Sequence, residues 1–288
     1  MSLEPNPGTL YLVGTPIGNL EDITYRAVRL LQTVDVIAAE DTRHTAKLLQ
    51  HFQITTPQIS YHEHNQKQRI PELLNRLVDG QSLALVTDAG MPGISDPGYE
   101  LVSACWQANH PVVPIPGPTA VITALTASGL PTDRFVFEGF LPAKGKPRQQ
   151  RLEAIQTESR TVVLYESPHR LSQTLADLAA TLGGDRAITT ARELTKRHEE
   201  FWQGTLDSAC DRYQEISPKG EFTLVIAGVQ REAPQLSETA LKAELKVLLN
   251  QGLSRSQASR QLAQHTQLAR RDIYQLALTL ADEPISKE

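Results

Sequence analysis

The chain has two cysteines in 288 residues, and no apolar tract approaches the roughly 18 residues of a membrane-spanning helix. Cys105 and Cys210 lie far apart and form no C-x-x-C, which favours a reducing cytosol over a disulfide framework. Both read as packing residues. Met1 to Pro7 lacks the basic, apolar and small-residue progression of a secretory leader, so a soluble cytoplasmic protein with no membrane partner is expected. There is no G-x-G-x-x-G, no G-x-x-x-x-G-K-[ST] and no G-x-S-x-G, which argues against an ordinary Rossmann enzyme, a kinase and a serine hydrolase. His62-Glu63-His64 has no H-E-x-x-H spacing and no cysteine partners, so no metal is expected. A net charge of -5 argues against an all-over basic coat. Any contact with RNA must be focused, and DNA is not expected.

The most informative absence is local. Leu83 to Gly98, LALVTDAGMPGISDPG, is a buried strand running into a long glycine- and proline-rich loop without a Lys or Arg. Phosphate-cradling loops need a cation to neutralise the phosphoryl oxygens, and the only charges here are Asp88 and Asp96. Such a loop suits a ligand that is neutral or cationic at its reactive centre, such as the sulfonium of S-adenosylmethionine. A tight structural turn is the alternative.

Strand-like runs alternate with helical-period segments, the pattern of an α/β fold. In the first half the strands are Thr9 to Val13, Val34 to Ala38, Gln58 to Tyr61, Leu83 to Thr87 and Pro111 to Ile115. The prolines of the last place it near a sheet edge. Helices are expected with Ala27, Val28, Leu30 and Leu31 inward, over Thr42 to His51, Ile70 to Val78 and Tyr99 to Ala108, and in the small residues after Ala120. Gly129 to Asp133 marks a hinge into a second α/β unit with strands at Phe135 to Gly139, Thr161 to Tyr165, Ala187 to Ala191, around Phe201-Trp202 and at Phe222 to Ala227. The domains expected are 1–129, 130–230 and 231–288. The last comprises a linker, Arg231 to Leu236, and a helix-turn-helix-like unit split at Gln264 to Thr266, with Arg255, Arg260, Arg270 and Arg271 outward. It could touch nucleic acid or be a plain helical hairpin.

Three polar loops follow strands of the first domain, at Thr15 to Asn19, Asp88 to Gly98 and Pro116 to Ala120. Ligands of open α/β sheets bind beyond the carboxyl ends of the strands, so the three loops imply one cleft. Glu40-Asp41-Thr42-Arg43-His44 opens a helix, where Asp41 or Thr42 would cap it. Arg43 and His44 oppose the helix dipole and suit an anionic substrate. Tyr165 to Arg170 ends another strand; Ser167 as cap and Pro168 in the first turn leave Glu166, His169 and Arg170 as surplus polar groups. The charged run Ala191 to Glu200 is either a solvated hairpin or a phosphate contact. Lys144 to Arg148 poses the same choice.

Taken together, Gly14-Thr15-Pro16-Ile17-Gly18-Asn19-Leu20, Ala39 to Thr45, Asp88 to Gly98, Pro116 to Ala120, Glu166 to Arg170 and Ala191 to Lys196 resemble the ribosomal small subunit methyltransferase I family of the tetrapyrrole methylase superfamily. The resemblance covers essentially the whole chain. It implies a two-domain class III methyltransferase fold with a small C-terminal helical domain, acting as a homodimer. The implied reaction is transfer of a methyl group from S-adenosylmethionine to the ribose 2'-hydroxyl of a decoding-centre cytidine in 16S rRNA, free or within the small ribosomal subunit. The implied cofactor-side residues are Pro16; Asp88, Ala89, Gly90, Met91, Pro92, Ile94 and Ser95; Pro116, Gly117, Thr119 and Ala120; Tyr165, Glu166 and Ser167; Ala191, Arg192 and Leu194; and Thr223. A ribose hydroxyl needs help in losing its proton. Asp41, Glu166, His169 and Glu193 are candidate bases, and Arg43, His44, Arg170, Arg192 and Lys196 candidate RNA contacts. Methylation of a tetrapyrrole or a protein side chain on the same scaffold, or a non-enzymatic RNA-binding module, are the competing readings.

Overall fold

A computed structural model describes residues 5–229, 237–266 and 268–280. The chain divides into two compact units, Met1–Val229 and Gln230–Glu288. The expected linker, Arg231 to Leu236, lies outside the described residues.

The first unit contains two five-stranded sheets. Strands β1 (Leu10–Val13), β2 (Val36–Ala39), β3 (Gln58–Ser60), β4 (Leu83–Val86) and β5 (Val112–Ile115) lie in the order β3-β2-β4-β1-β5 and pair in parallel. Pro114 on β5 lies opposite Leu12 at the sheet edge, where a missing N–H is tolerated. The central strands β2 and β4 are buried at every position, as parallel strands covered on both faces must be. Helices α1 (Tyr25–Thr33), α2 (Thr42–His51), α3 (Gln66–Val78), α4 (Tyr99–Gln107) and α5 (Ala120–Ala127) connect them. The hydrophobic core lies in two clusters, one with Leu31, Ile37 and Val86, the other with Leu73, Leu83 and Leu101. Helix α3 contains the expected core Ile70 to Val78 and begins one turn earlier, at Gln66, with Pro71 inside it. At the sixth position of the helix, its ring costs the bond that an N–H would make to the Lys67 carbonyl four residues back.

The second sheet has the order β6-β7-β10-β8-β9, with β6 (Phe135–Phe140), β7 (Thr161–Glu166), β8 (Ala187–Arg192), β9 (Glu200–Thr205) and β10 (Phe222–Ile226). Only β6 and β7 pair in parallel; the rest is antiparallel. Helices α6 (Lys146–Gln156), α7 (Pro168–Leu182) and α8 (Leu206–Glu215) accompany it. The small residues of α5 let that helix reach the second sheet, where Val121, Ala124 and Leu125 pack with Val163, Ala191 and Val225. The expected hinge is not a free joint. The Ser128 carbonyl accepts hydrogen bonds from Thr189 Oγ1 at 2.8 Å and Gln203 Nε2 at 2.8 Å, so the crossing is bolted to the second sheet.

The second unit holds α9 (Glu238–Asn250), α10 (Arg255–His265) and α11 (Arg270–Thr279) around Leu245, Ala258, Leu262, Ile273 and Ala277. Helix α10 continues through His265, past the expected start of the split, and α11 begins at Arg270. Arg255, Arg260, Arg270 and Arg271 are all exposed, and Leu268, expected inward, is exposed as well.

Candidate active site

The first unit contains a cavity of about 450 Å³ walled by both sheets. The loops after β1, β4 and β5 supply Ile17, Asp88 to Met91, Ile94 to Asp96, Thr119 and Ala120. Glu40 enters from the end of β2. The opposite wall is Phe140, Tyr165 to Pro168, Ala191, Leu194 and Glu221 to Thr223. Register explains that wall: Thr223 on β10 lies opposite Tyr165 on β7 and Ala191 on β8, so three separate stretches meet at one end of the sheet. Tyr165 packs edge-on against Phe137 at a centroid distance of 4.9 Å, and Phe140 lies 5.6 Å from it.

Two close approaches fix the walls. Thr15 N donates to Gly90 O at 2.9 Å and Gly90 N returns to Thr15 O at 3.0 Å, while Thr15 Oγ1 donates to Thr87 O at 3.0 Å. Behind them, a Cβ on Gly14 would stand 2.7 Å from the Gly117 Cα, and one on Gly117 would stand 2.7 Å from the Gly14 Cα. Only paired glycines allow the first and third loops to touch backbone to backbone. Between the halves, a Cβ on Gly18 would collide with Lys196 Cγ and lie 2.9 Å from the Leu194 carbonyl oxygen, so the first loop is seated directly on the 194–196 turn.

Among the described residues the cavity wall has no Lys, Arg or His, and five of its side chains are carboxylates: Glu40, Asp88, Asp96, Glu166 and Glu221. Asp88 N donates to Glu40 Oε2 at 3.2 Å, and Asp41 N donates to Asp88 Oδ1 at 3.2 Å. Burial raises the Glu40 carboxyl, despite the bond from the Asp88 amide. Burial, with Glu40 and Asp88 nearby, pushes Asp96 up to about 7. Glu166 is 2 % exposed and receives Ser167 N at 2.8 Å and Thr174 Oγ1 at 2.6 Å, with Arg170 Nε 3.4 Å away.

The candidate bases do not converge. Asp41 lies outside the cavity wall, caps α2 through Arg43 N at 2.8 Å and pairs with the Arg43 guanidinium, which holds its carboxyl well below the usual range. His169 is exposed outside the wall, with Nε2 3.3 Å from Ser167 Oγ. Burial would raise Glu193, yet the Glu221 amide and the Lys196 ammonium hold it low. It too lies outside the wall. Glu166 lines the cavity with its carboxylate already occupied.

The candidate RNA contacts are likewise engaged. Arg43 pairs with Asp41, Arg170 with Glu166, and Lys196 with Glu193 and Glu221; Arg192 pairs with Glu200 and donates to Lys219 O at 2.7 Å. His44 is exposed on the first turn of α2. Arg148, expected in a solvated or phosphate-facing loop, is instead 7 % exposed in α6 and bonded to Asp177, Thr174 and Pro142 O. Ser167 stands at the N-cap of α7 but its hydroxyl makes no capping bond.

Of the cofactor-side residues, Asp88, Ala89, Gly90, Met91, Ile94, Ser95, Thr119, Ala120, Tyr165, Glu166, Ser167, Ala191, Leu194 and Thr223 line the cavity. Pro16, Pro92, Pro116, Gly117 and Arg192 do not; Gly117 stands behind the wall as the partner of Gly14. Glu40, Asp96, Phe140, Pro168, Glu221 and Phe222 line it without having been singled out as ligands, as does Ile17. Glu40 and Asp96 had a sequence signal, since both belong to strand-end motifs beside assigned residues.

The volume lies within the ~300–1,000 Å³ of small-molecule sites. A lining that combines aromatic rings with carboxylates suits a nucleoside bearing a positive centre. Residues 9–210 match the family Tetrapyrrole (Corrin/Porphyrin) Methylases. Among solved structures, the uroporphyrin-III-C-methyltransferase from Thermus thermophilus superposes with a TM-score of 0.56 at 21% identity, over 76% of this chain and 94% of that one. The same enzyme complexed with S-adenosyl homocysteine also gives 0.56. These likenesses define the class as a tetrapyrrole methylase fold. Curated relatives narrow it: the Ribosomal RNA small subunit methyltransferase I of Synechocystis sp. is 64% identical over 95% of this chain and 98% of its own. The protein of that name from Escherichia coli O157:H7 is 50% identical over 84% of this chain and 85% of its own. The chain belongs to the ribosomal RNA small subunit methyltransferase I family.

Proposed function

We propose that this chain transfers a methyl group from S-adenosylmethionine, the methyl donor of its family, to the ribose 2'-hydroxyl of a cytidine in the decoding centre of 16S rRNA, working as a homodimer in the cytoplasm. The observation that carries the donor assignment is the wall of carboxylates and aromatic rings without a cation. A phosphate-bearing cofactor would be repelled there, whereas a sulfonium gains from it. When bound, the donor supplies an electrophilic methyl group. Ile17, Met91, Thr119, Tyr165 and Thr223 would hold it between the sheets, and the contacts of Thr15 with Gly90 and of Gly14 with Gly117 hold the first-domain loops in place. Orientation of the acceptor oxygen behind the methyl carbon supplies much of the rate. The names of the relatives support small-subunit rRNA as substrate.

The test is incubation with radiolabelled S-adenosylmethionine and, separately, assembled small subunits, free 16S rRNA and a tetrapyrrole. Label in 2'-O-methylcytidine after nucleoside digestion is expected. Label on the tetrapyrrole alone, or none, would refute the reading. Analytical ultracentrifugation is expected to give a dimer mass.

RNA contact by the second unit belongs to the same proposal. Between 237 and 280, Lys242, Lys246, Arg255, Arg260, Arg270 and Arg271 outnumber Glu238, Glu244 and Asp272, opposite in sign to the chain as a whole. Arg270, Arg271, Tyr274 and Ser256 line one open groove, and Arg270 donates to Ser256 Oγ at 2.7 Å. Replacing Arg270 and Arg271 by alanine is expected to weaken binding to RNA about equally across sequences and to lower the slope of log K against log salt by about 1 to 2. An unchanged slope in a filter-binding titration would remove this unit from the interface.

A further inference from the structure

Five carboxylates face the cavity, and they differ in what they already hold. Glu40 receives the Asp88 amide, Asp88 the Asp41 amide, Glu166 the Ser167 amide and the Thr174 hydroxyl, and Glu221 the Lys196 ammonium. Asp96 receives nothing: among the described residues no N–H or O–H donates to its side chain. It sits on the glycine- and proline-rich loop after β4, whose backbone at Ser95 is left-handed with φ 62°. A non-glycine residue adopts that conformation at a cost of about 1 kcal/mol or more, and the surrounding loop has to hold it. Here it presents the next side chain to the cavity.

On the reading that the chain methylates a ribose hydroxyl, we propose that Asp96 is the catalytic residue that accepts the hydroxyl proton during methyl transfer. The acceptor oxygen forms a bond to the methyl carbon as the carbon–sulfur bond breaks, the bonding pair stays on sulfur as a neutral thioether, and the hydroxyl proton moves to the Asp96 carboxylate and then to water. Atoms and charge balance: the sulfonium loses its positive charge and the proton carries one away.

A base must have a free lone pair, reach the substrate and hold a proton at the working pH without keeping it. Asp96 meets the first by having no donor and the second by lining the cavity. Burial beside Glu40 and Asp88, which places its carboxyl near 7, meets the third. The groups that face it are Glu40 from the end of β2, Asp88 from its own loop and Tyr165 from β7, whose phenol is pushed up to about 12, chiefly by burial. None is a cation. Its ionised form is therefore the one that grows as pH rises, and the rate should rise with it.

The experiment compares the full-length protein with Asp96→Asn and Asp96→Glu on assembled small subunits. For the wild type, kcat/KM is expected to climb with unit slope and level off above about pH 7. Asp96→Asn should lower kcat by about 100-fold, abolish that limb and leave the thermal midpoint no lower, because it removes a charge from a site that disfavours one. Asp96→Glu should restore part of kcat. Calorimetric binding of S-adenosylmethionine at pH 7 in buffers of different ionisation enthalpy gives a readout without RNA. The wild type should release a fraction of a proton and Asp96→Asn less. An unchanged kcat and pH limb in Asp96→Asn, or a defect confined to cofactor affinity, would overturn the proposal. Failure of the wild type to label cytidine refutes the RNA reading instead; the calorimetric comparison then still decides, since equal proton release by both proteins overturns Asp96 as the titrating group.

Discussion

Replacing Glu166 by alanine is expected to cost about 3–5 kcal/mol of folding stability, the range for removing one partner of a buried ionic network. The side chain of Glu166 has no exposed area in its pairing with Arg170, and its two oxygens receive an amide, a hydroxyl and the guanidinium. The network continues outward, because Arg148 donates to the same Thr174 hydroxyl at 2.9 Å and to Asp177 at 2.8 Å. Alanine would leave buried donors of β7 and α7 without an acceptor. Glutamine keeps the volume but turns an NH2 toward a group that also donates, and should cost about 1–3 kcal/mol. Urea denaturation measures both. A midpoint for Glu166→Ala equal to wild type would show that the donors find water, and would return Glu166 to consideration as a reacting group. The exposed pair Arg43–Asp41 is the contrast, since such pairs contribute little.

The second large effect is expected at Gly117. A Cβ there meets the Gly14 Cα at 2.7 Å and the Gly14 carbonyl carbon and oxygen at 3.0 Å, all backbone atoms that cannot turn aside. Overpacking of this kind costs about 1–3 kcal/mol. The strain is relieved by parting the loops after β1 and β5, both of which line the cavity proposed to hold the donor. Gly117→Ala should therefore weaken S-adenosylmethionine binding by about 10-fold to 100-fold, the equivalent of that strain. Calorimetric titration decides: wild-type affinity in Gly117→Ala would mean that the loops can separate without altering the cavity.

Much of the architecture was legible because local chemistry and global position agree. Asp41 before Thr42 marks the start of α2, and the same ten residues form the helix. Pro114 forecast an edge, and β5 is one. The apolar residues of Ile70 to Val78 marked the core of α3, whereas its first turn, Gln66 to Arg69, is wholly polar and carried no such signal. The loops of the cavity were legible for the same reason, as glycine and proline clusters at strand ends. Individual roles were not. Glu166 looks like a spare carboxylate until Thr174, eight residues on along α7, is seen to donate to it. Asp96 looks like one of two loop acids until Glu40, from a different strand, is found beside it. Which acid is occupied and which is free depends on tertiary neighbours, and no spacing rule reports that.

The cation-free wall also bears on how a turnover ends. On the proposed function, transfer of the methyl group lowers the charge of the bound nucleoside by one, from sulfonium to thioether, while Glu40 and Asp88, wall carboxylates that, like Asp96, pair with no cation among the described residues, stay where they are. In a partly desolvated site the attraction between a cation and one carboxylate about 4 Å away is of order 4 kcal/mol before the cost of desolvation. The spent donor forfeits that attraction at the moment it is formed. On the proposal that this cavity holds the donor, its acidic wall favours product release, gripping the charged molecule that arrives and loosening its hold on the neutral one that must leave.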